Sequence, residues 1–75
     1  MSLRDDILAI LQQDLGPAAP IFLEKCCKKQ LGRTSQEIMP DDISVLAECF
    51  YRGVAESIGV ANAERVRGHV LAIRQ

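Results

Sequence analysis

The chain has 75 residues and a formal net charge of -1; 48% of its residues are apolar and 25% are charged. This composition excludes an intrinsically disordered chain, and the apolar runs are too short for a membrane-spanning helix of about 20 residues. The length predicts a single small domain over residues 1–75, and the periodicity described next predicts that it is helical. Its core must be mainly aliphatic, because the aromatic residues are only Phe22, Phe50 and Tyr51.

Apolar residues recur at helical spacing throughout the chain, and strand-like alternation is almost absent. The pattern predicts an all-α fold, a compact bundle of four helices at about 3–15, 18–31, 40–58 and 62–73. Ser2 is the predicted N-cap of the first helix, which ends at Gly16 and Pro17. Because the connection between them is short, the first two helices are predicted to form an antiparallel hairpin.

The second half of the chain contains the longest predicted helix. A polar connection, in which Ile38 is predicted to fill the core, leads to Pro40 at the start of this third helix. Gly53 lies inside the helix, where glycine costs about 1 kcal/mol relative to alanine. It either allows a neighbouring helix to approach closely or is simply tolerated. Gly59 is the predicted C-cap, and Asn62 is the predicted N-cap of the fourth helix.

The thiol and imidazole side chains do not form a recognisable chemical site. Cys26, Cys27 and Cys49 are an odd set with two adjacent members, which does not suit a disulfide framework and indicates a reducing compartment. With no secretory signal expected, the predicted location is cytoplasmic. The cysteines and His69 lack the paired spacing of zinc ligands, so neither a metal nor a cofactor is predicted. A catalytic Cys–His pair needs a sheltered pocket that so small a domain has little room for, so no catalytic residue and no enzymatic activity are predicted.

Lys25, Lys28, Lys29 and Arg33 form a basic patch with no acidic residue among them. The three lysines share one helix face by their i, i+3, i+4 spacing. Such a patch suits phosphate groups or an acidic protein partner, although it can also be an ordinary solvated face. Binding of a nucleic acid or a phospholigand through this patch is the alternative function. Nucleic acid is not the expected partner, because the net charge is negative and no aromatic residue is interleaved.

Ser35 lies near the middle of the chain, where acyl carrier proteins have the serine that accepts phosphopantetheine. Those proteins carry an Asp-Ser-Leu motif, whereas Thr34 and Gln36 flank the serine here. Their second helix begins at this serine, whereas the second helix predicted here begins well before it. A carrier function is therefore not predicted.

Short segments in the first three helices resemble a known class of helical module. Residues 15–19 read Leu-Gly-Pro-Ala-Ala, Phe22 and Leu23 follow, and residues 46–48 read Leu-Ala-Glu. This pattern resembles small helical modules of prokaryotic signalling proteins, often appended to kinases or cyclases, in which a Leu-Gly-Pro turn joins the first two helices. The resemblance implies a regulatory or interaction role and carries over no catalytic residue.

Four apolar residues lie beside the main helical stripes: Ile10, Ile21, Tyr51 and Leu71. Together on the surface they would form an apolar patch of the kind that marks a protein interface; otherwise they widen the core faces. With the resemblance above, they predict a non-enzymatic helical protein–protein interaction module with a regulatory or signalling role. It is expected to associate through an apolar helix face, with itself as a dimer or with a larger signalling protein, and not with a membrane.

Overall fold

The computed structural model describes residues 3–73, and throughout this range the protein is all-α, as predicted. The four α-helices are α1 (Leu3–Leu15), α2 (Ala19–Leu31), α3 (Ile43–Ile58) and α4 (Val60–Ile73). Short 3₁₀ turns occur at Gly16–Ala18, Ser35–Glu37 and Pro40–Asp42. Each helix packs against its neighbours in the chain, and α4 also packs against α1, so the helices enclose one core. The predicted cap Ser2 lies outside the described residues.

The predicted helix ends agree with the structure, whereas three of the predicted starts shift. Helix α2 begins one residue later, after the first 3₁₀ turn. Helix α3 begins at Ile43, because Pro40–Asp42 forms a separate 3₁₀ turn in which the Asp42 carboxylate accepts a hydrogen bond from the Met39 amide at 2.9 Å. Helix α4 begins at Val60, two residues before the predicted cap Asn62.

A single glycine makes the turn between α3 and α4. Gly59 has a φ of 109°, which only glycine adopts readily, so the chain reverses direction in one residue. Its amide donates to the Val54 carbonyl, and its carbonyl accepts the first backbone hydrogen bond of α4, from the Ala63 amide. The Asn62 side chain donates to the Ile58 carbonyl at 3.0 Å. Asn62 is therefore inside α4 and caps the end of α3, which corrects its predicted role.

The core is aliphatic with one aromatic residue fully enclosed. Phe50 has no exposed surface, and the apolar stripes of all four helices converge around it. Ile38 is 8% exposed and reaches the core from the connection between α2 and α3, as predicted. Along residues 3–73, none of the helices combines the length with the apolar character that a membrane crossing requires.

A polar cluster around the buried Ser35 connects this segment to α1 and α2. Ser35 is 1% exposed, and its hydroxyl donates to the Glu24 carboxylate while it accepts a hydrogen bond from Arg4 Nε at 2.8 Å. The Ser35 amide also donates to Glu24 Oε1 at 3.2 Å. Arg33 and Asp42 close the same segment with an ion pair of 2.9 Å. The Ser35 hydroxyl is thus a buried structural group, which does not suit the attachment of a prosthetic group.

The cluster predicts an acid-sensitive contribution to stability. The Ser35 hydroxyl first, and then its amide and the Arg4 charge, hold the pKa of Glu24 below its ordinary value of 4.5 against a smaller opposing effect of burial. A carboxylate with a lowered pKa in the folded state stabilises the protein above pH 4.5, and this contribution is lost as the pH falls through the lowered pKa. We expect Glu24→Gln to cost about 1 kcal/mol at neutral pH.

Urea unfolding followed by circular dichroism, at neutral pH and at steps below pH 4.5, measures this contribution. The difference in unfolding free energy between the wild type and Glu24→Gln should shrink as the pH falls. Glu64→Gln, on the exposed face of α4, is the control and should show no such change. A difference for Glu24→Gln that is constant with pH contradicts the assignment.

Candidate functional site

A recess of about 360 Å³ lies between α2 and α3. The two helices run in opposite directions along it, because Phe22 packs beside Gly53 and, one turn further along α2, Cys26 contacts Cys49. We refer to this recess as the α2–α3 groove. Its α2 wall includes Phe22, Lys25, Cys26 and Lys29, and its α3 wall includes Cys49, Arg52, Gly53 and Glu56. The segment of α2 from Phe22 to Lys29 is about 10 Å long at 1.5 Å per residue.

Gly53 allows the two walls to approach closely at one end of the groove. A Cβ atom at this position would lie 2.6 Å from Cζ of the Phe22 ring, a distance that real Cβ contacts do not reach. The same ring packs against Phe50 with a centroid distance of 5.7 Å, which ties it to the core. Of the two readings of Gly53 that the sequence allowed, the structure supports the close approach of a neighbouring helix.

Two thiols form the floor of the groove. Cys26 and Cys49 are 5% and 9% exposed, and their sulfur atoms lie 3.0 Å apart in a thiol–thiol hydrogen bond. All three cysteines are free and buried, and Cys27 is fully enclosed. Within the described part of the chain, no group of three His, Cys, Asp or Glu side chains is arranged to hold a metal ion.

Burial keeps the thiols of Cys26 and Cys27 protonated at neutral pH. Desolvation, followed by the contact with Cys49, raises the pKa of Cys26 well above its usual range, and the Lys29 charge opposes this only weakly. Desolvation, together with the charges of Glu24 and Asp42, raises the pKa of Cys27 to about 11. A thiol is a poor nucleophile compared with its thiolate. Cys26 and Cys27 therefore have the character of packed side chains rather than of catalytic nucleophiles.

The charges around the groove are mostly positive. Lys25, Lys29 and Arg52 line it together with one acidic residue, Glu56. Among the described residues, none of the three cations forms an ion pair. The whole chain carries a formal charge of -1, so this concentration of positive charge is local. An anionic group that enters the groove can therefore meet cations without displacing an existing partner.

The structure divides the predicted basic patch between two places. Lys25 and Lys29 line the α2–α3 groove, whereas Lys28 and Arg33 line a separate recess beside the end of α2. Arg33 is also paired with Asp42, so its charge is already compensated. Arg52 belongs to the groove but was not part of the predicted patch. Arg52 could not be predicted from the sequence, because it is distant from the lysines in the chain and helical spacing does not reveal which face of α3 lies against α2.

The four predicted interaction residues differ in exposure: three are half-buried and one is exposed. Ile10, Tyr51 and Leu71 are half-buried and pack against the core, so much of their apolar surface is already used. The Arg67 guanidinium lies over the Tyr51 ring, 5.6 Å from its centroid, and covers it further. Ile21 alone among the four is strongly exposed, with 73% of its surface accessible.

The glycines of α3 and α4 provide a matched test of the groove geometry. We expect Gly53→Ala to destabilise the protein by about 1–2 kcal/mol, because the displaced Phe22 ring costs more than the gain in helix propensity. Gly68→Ala, where the added methyl group meets open space in α4, should instead stabilise it by up to about 1 kcal/mol. Urea unfolding of both variants measures these values; equal stabilisation by both substitutions argues against the close approach of Phe22 and Gly53.

No family model matches the chain, and neither a curated protein nor a solved structure does. The resemblance to small helical signalling modules therefore stays a prediction that rests on the short segments of residues 15–23 and 46–48. Function must be inferred from the groove itself. Its floor combines an aromatic ring with two thiols, and its rim carries Lys25, Lys29 and Arg52, which form no ion pair with the rest of residues 3–73.

Proposed function

We propose that this protein is a non-enzymatic interaction module that binds an acidic amphipathic helix of a partner protein in the α2–α3 groove. The observation that carries the proposal is the presence of three cations, Lys25, Lys29 and Arg52, around an apolar floor without an ion-pair partner among residues 3–73. The sequence predicted association either with a second copy of the chain or with another protein, and our proposal is association with another protein. A regulatory or signalling role in the cytoplasm is part of the proposal, and the free thiols support the location.

The shape of the groove supports a helical occupant. Amphipathic helices commonly bind in apolar grooves through residues at i, i+3, i+4 and i+7. Ile21 lies one turn before Lys25 on the same face of α2, and Val45 lies one turn before Cys49 on the same face of α3. Both are exposed, Ile21 at 73% and Val45 at 45%, and because the helices are antiparallel they lie at opposite ends of the groove. They offer apolar contacts beyond each end of the floor.

The groove chemistry favours an acidic protein segment over a nucleic acid, which was the alternative partner. A single-stranded nucleic acid needs exposed aromatic rings for base stacking and a continuous line of cations along its backbone. Phe22 is half-buried on the floor, and Glu56 interrupts the positive rim. A helix with acidic side chains beside apolar ones can pair with the groove cations and pack against the apolar floor at the same time.

Two features of the site support binding rather than catalysis. The side chains that line the groove include no histidine, and His69 lies exposed on α4. The thiol of Cys26 on the groove floor is held in its protonated form by burial. A covalent mechanism needs a nucleophile that a neighbouring base can activate.

The test uses a synthetic helical peptide of about 15 residues, with leucines at helical spacing and glutamates beside them, because shorter peptides are only marginally helical. Its titration into isotope-labelled protein, followed by amide chemical shifts, should perturb residues of α2 and α3 that border the groove. Binding should weaken as the salt concentration rises. Lys29→Glu should weaken binding about fivefold, because it replaces an attraction by a repulsion.

Lys28→Glu is the matched control, since Lys28 is adjacent to Lys29, is also exposed and lies outside the groove. It should change the affinity much less than Lys29→Glu. A peptide with lysine in place of glutamate should not bind. Equal binding of both peptides, or shift changes confined to α1 and α4, would overturn the proposal. Tighter binding of a single-stranded oligonucleotide than of the acidic peptide would replace it with the nucleic-acid function.

A further inference from the structure

Cys26 and Cys49 are a pair of free thiols that the proposed binding reaction does not use. They lie 23 positions apart in the chain and on different helices, yet their sulfur atoms are 3.0 Å apart. A disulfide bond joins two sulfur atoms at about 2.05 Å. The sulfur atoms therefore need to approach by about 1 Å for a bond to form.

We propose that Cys26 and Cys49 form a reversible disulfide bond on the floor of the α2–α3 groove, which makes the pair a redox modification site of this domain. The inference goes beyond the binding function and does not depend on what occupies the groove. It also revises the interpretation of the cysteine count. The odd number and the adjacent pair argued against a disulfide, whereas the packing of α2 on α3 selects one pair and leaves Cys27 as the unpaired thiol.

The oxidant is a small organic disulfide such as oxidised glutathione. One cysteine sulfur attacks it, forms a mixed disulfide and releases one small thiol. The second cysteine sulfur then attacks the mixed disulfide, closes the Cys26–Cys49 bond and releases the second small thiol. The protein loses two protons and two electrons, and the oxidant becomes two thiols, so the exchange is balanced and reversible.

The surroundings of the pair favour this chemistry and control its rate. Both sulfur atoms border the groove, and Lys25, Lys29 and Arg52 attract the carboxylates of oxidised glutathione towards them. Burial raises the pKa of Cys26, so the reaction is slow at neutral pH and accelerates as the pH rises.

The first experiment counts free thiols by mass spectrometry. The reduced protein is incubated with oxidised glutathione at neutral and alkaline pH, quenched with acid, unfolded and labelled with an alkylating agent. The reduced wild type should take up three labels, and the oxidised wild type only one, on Cys27. Oxidised Cys27→Ala should take up none, whereas Cys26→Ala and Cys49→Ala should retain both of their thiols or carry glutathione on them.

Thermal unfolding provides a second readout on the same samples. A disulfide bond between Cys26 and Cys49, which lie 23 positions apart, should raise the Tm by at least about 10 °C. Dithiothreitol should reverse this rise. Wild type oxidised while unfolded in urea, where all three pairings can form, is the control for the oxidant. Three labels after prolonged oxidation of the folded wild type at alkaline pH, stable glutathione adducts without ring closure, or a bond to Cys27 would each overturn the proposal.

Discussion

The Phe22 ring lies so close to Gly53 that a side chain at this position would collide with it, and the absence of that side chain allows α2 and α3 to approach closely. With no side chain at Gly53, the aromatic ring lies against the backbone of α3 and still reaches Phe50 in the core. One turn further along α2, Cys26 packs against Cys49 of α3, and the two sulfur atoms are in contact. Small residues on α3 thus produce both the groove and the thiol pair on its floor.

The ion pairs of the domain leave its groove cations available. Arg4, Arg33, Arg65 and Arg67 each pair with a carboxylate and fasten helices or the connection between α2 and α3. The acidic residues they use are therefore not free to neutralise the groove. Within residues 3–73 the charges that support the fold are paired and the three groove cations are not, a separation that the formal charge of -1 for the whole chain conceals. Charge complementarity to an acidic helix follows from the separation, not from the total charge.

The two proposals, binding of an acidic segment and formation of a disulfide bond, concern the same groove. The positively charged rim attracts anions, whether they belong to a protein segment or to a small oxidant. The floor of the groove holds two free thiols, and the proposed disulfide would join its two walls covalently. The proposed disulfide would join two thiols that are free in the structure, so its formation and reversal would depend on the thiols and disulfides that surround the protein.

The sequence determined the local structure, because caps, turns and helical periodicity act over a few residues. It predicted the all-α bundle, the ends of all four helices, the buried position of Ile38 and the turn at Gly59. It placed the start of α4 at Asn62, because it could not show that one glycine suffices for the turn or that the Asn62 amide bonds to the end of α3.

Only the tertiary structure decided which helix faces meet, since pairing between faces depends on contacts distant in sequence. Arg52 lines the same groove as Lys25 and Lys29, whereas Lys28 and Arg33 line another recess. The tertiary structure also used Ile10, Tyr51 and Leu71 to extend the core, which their positions beside the main stripes had left undecided. The contact between Cys26 and Cys49 arises in the same way, because helical spacing fixes the face of each cysteine but not the partner that this face packs against.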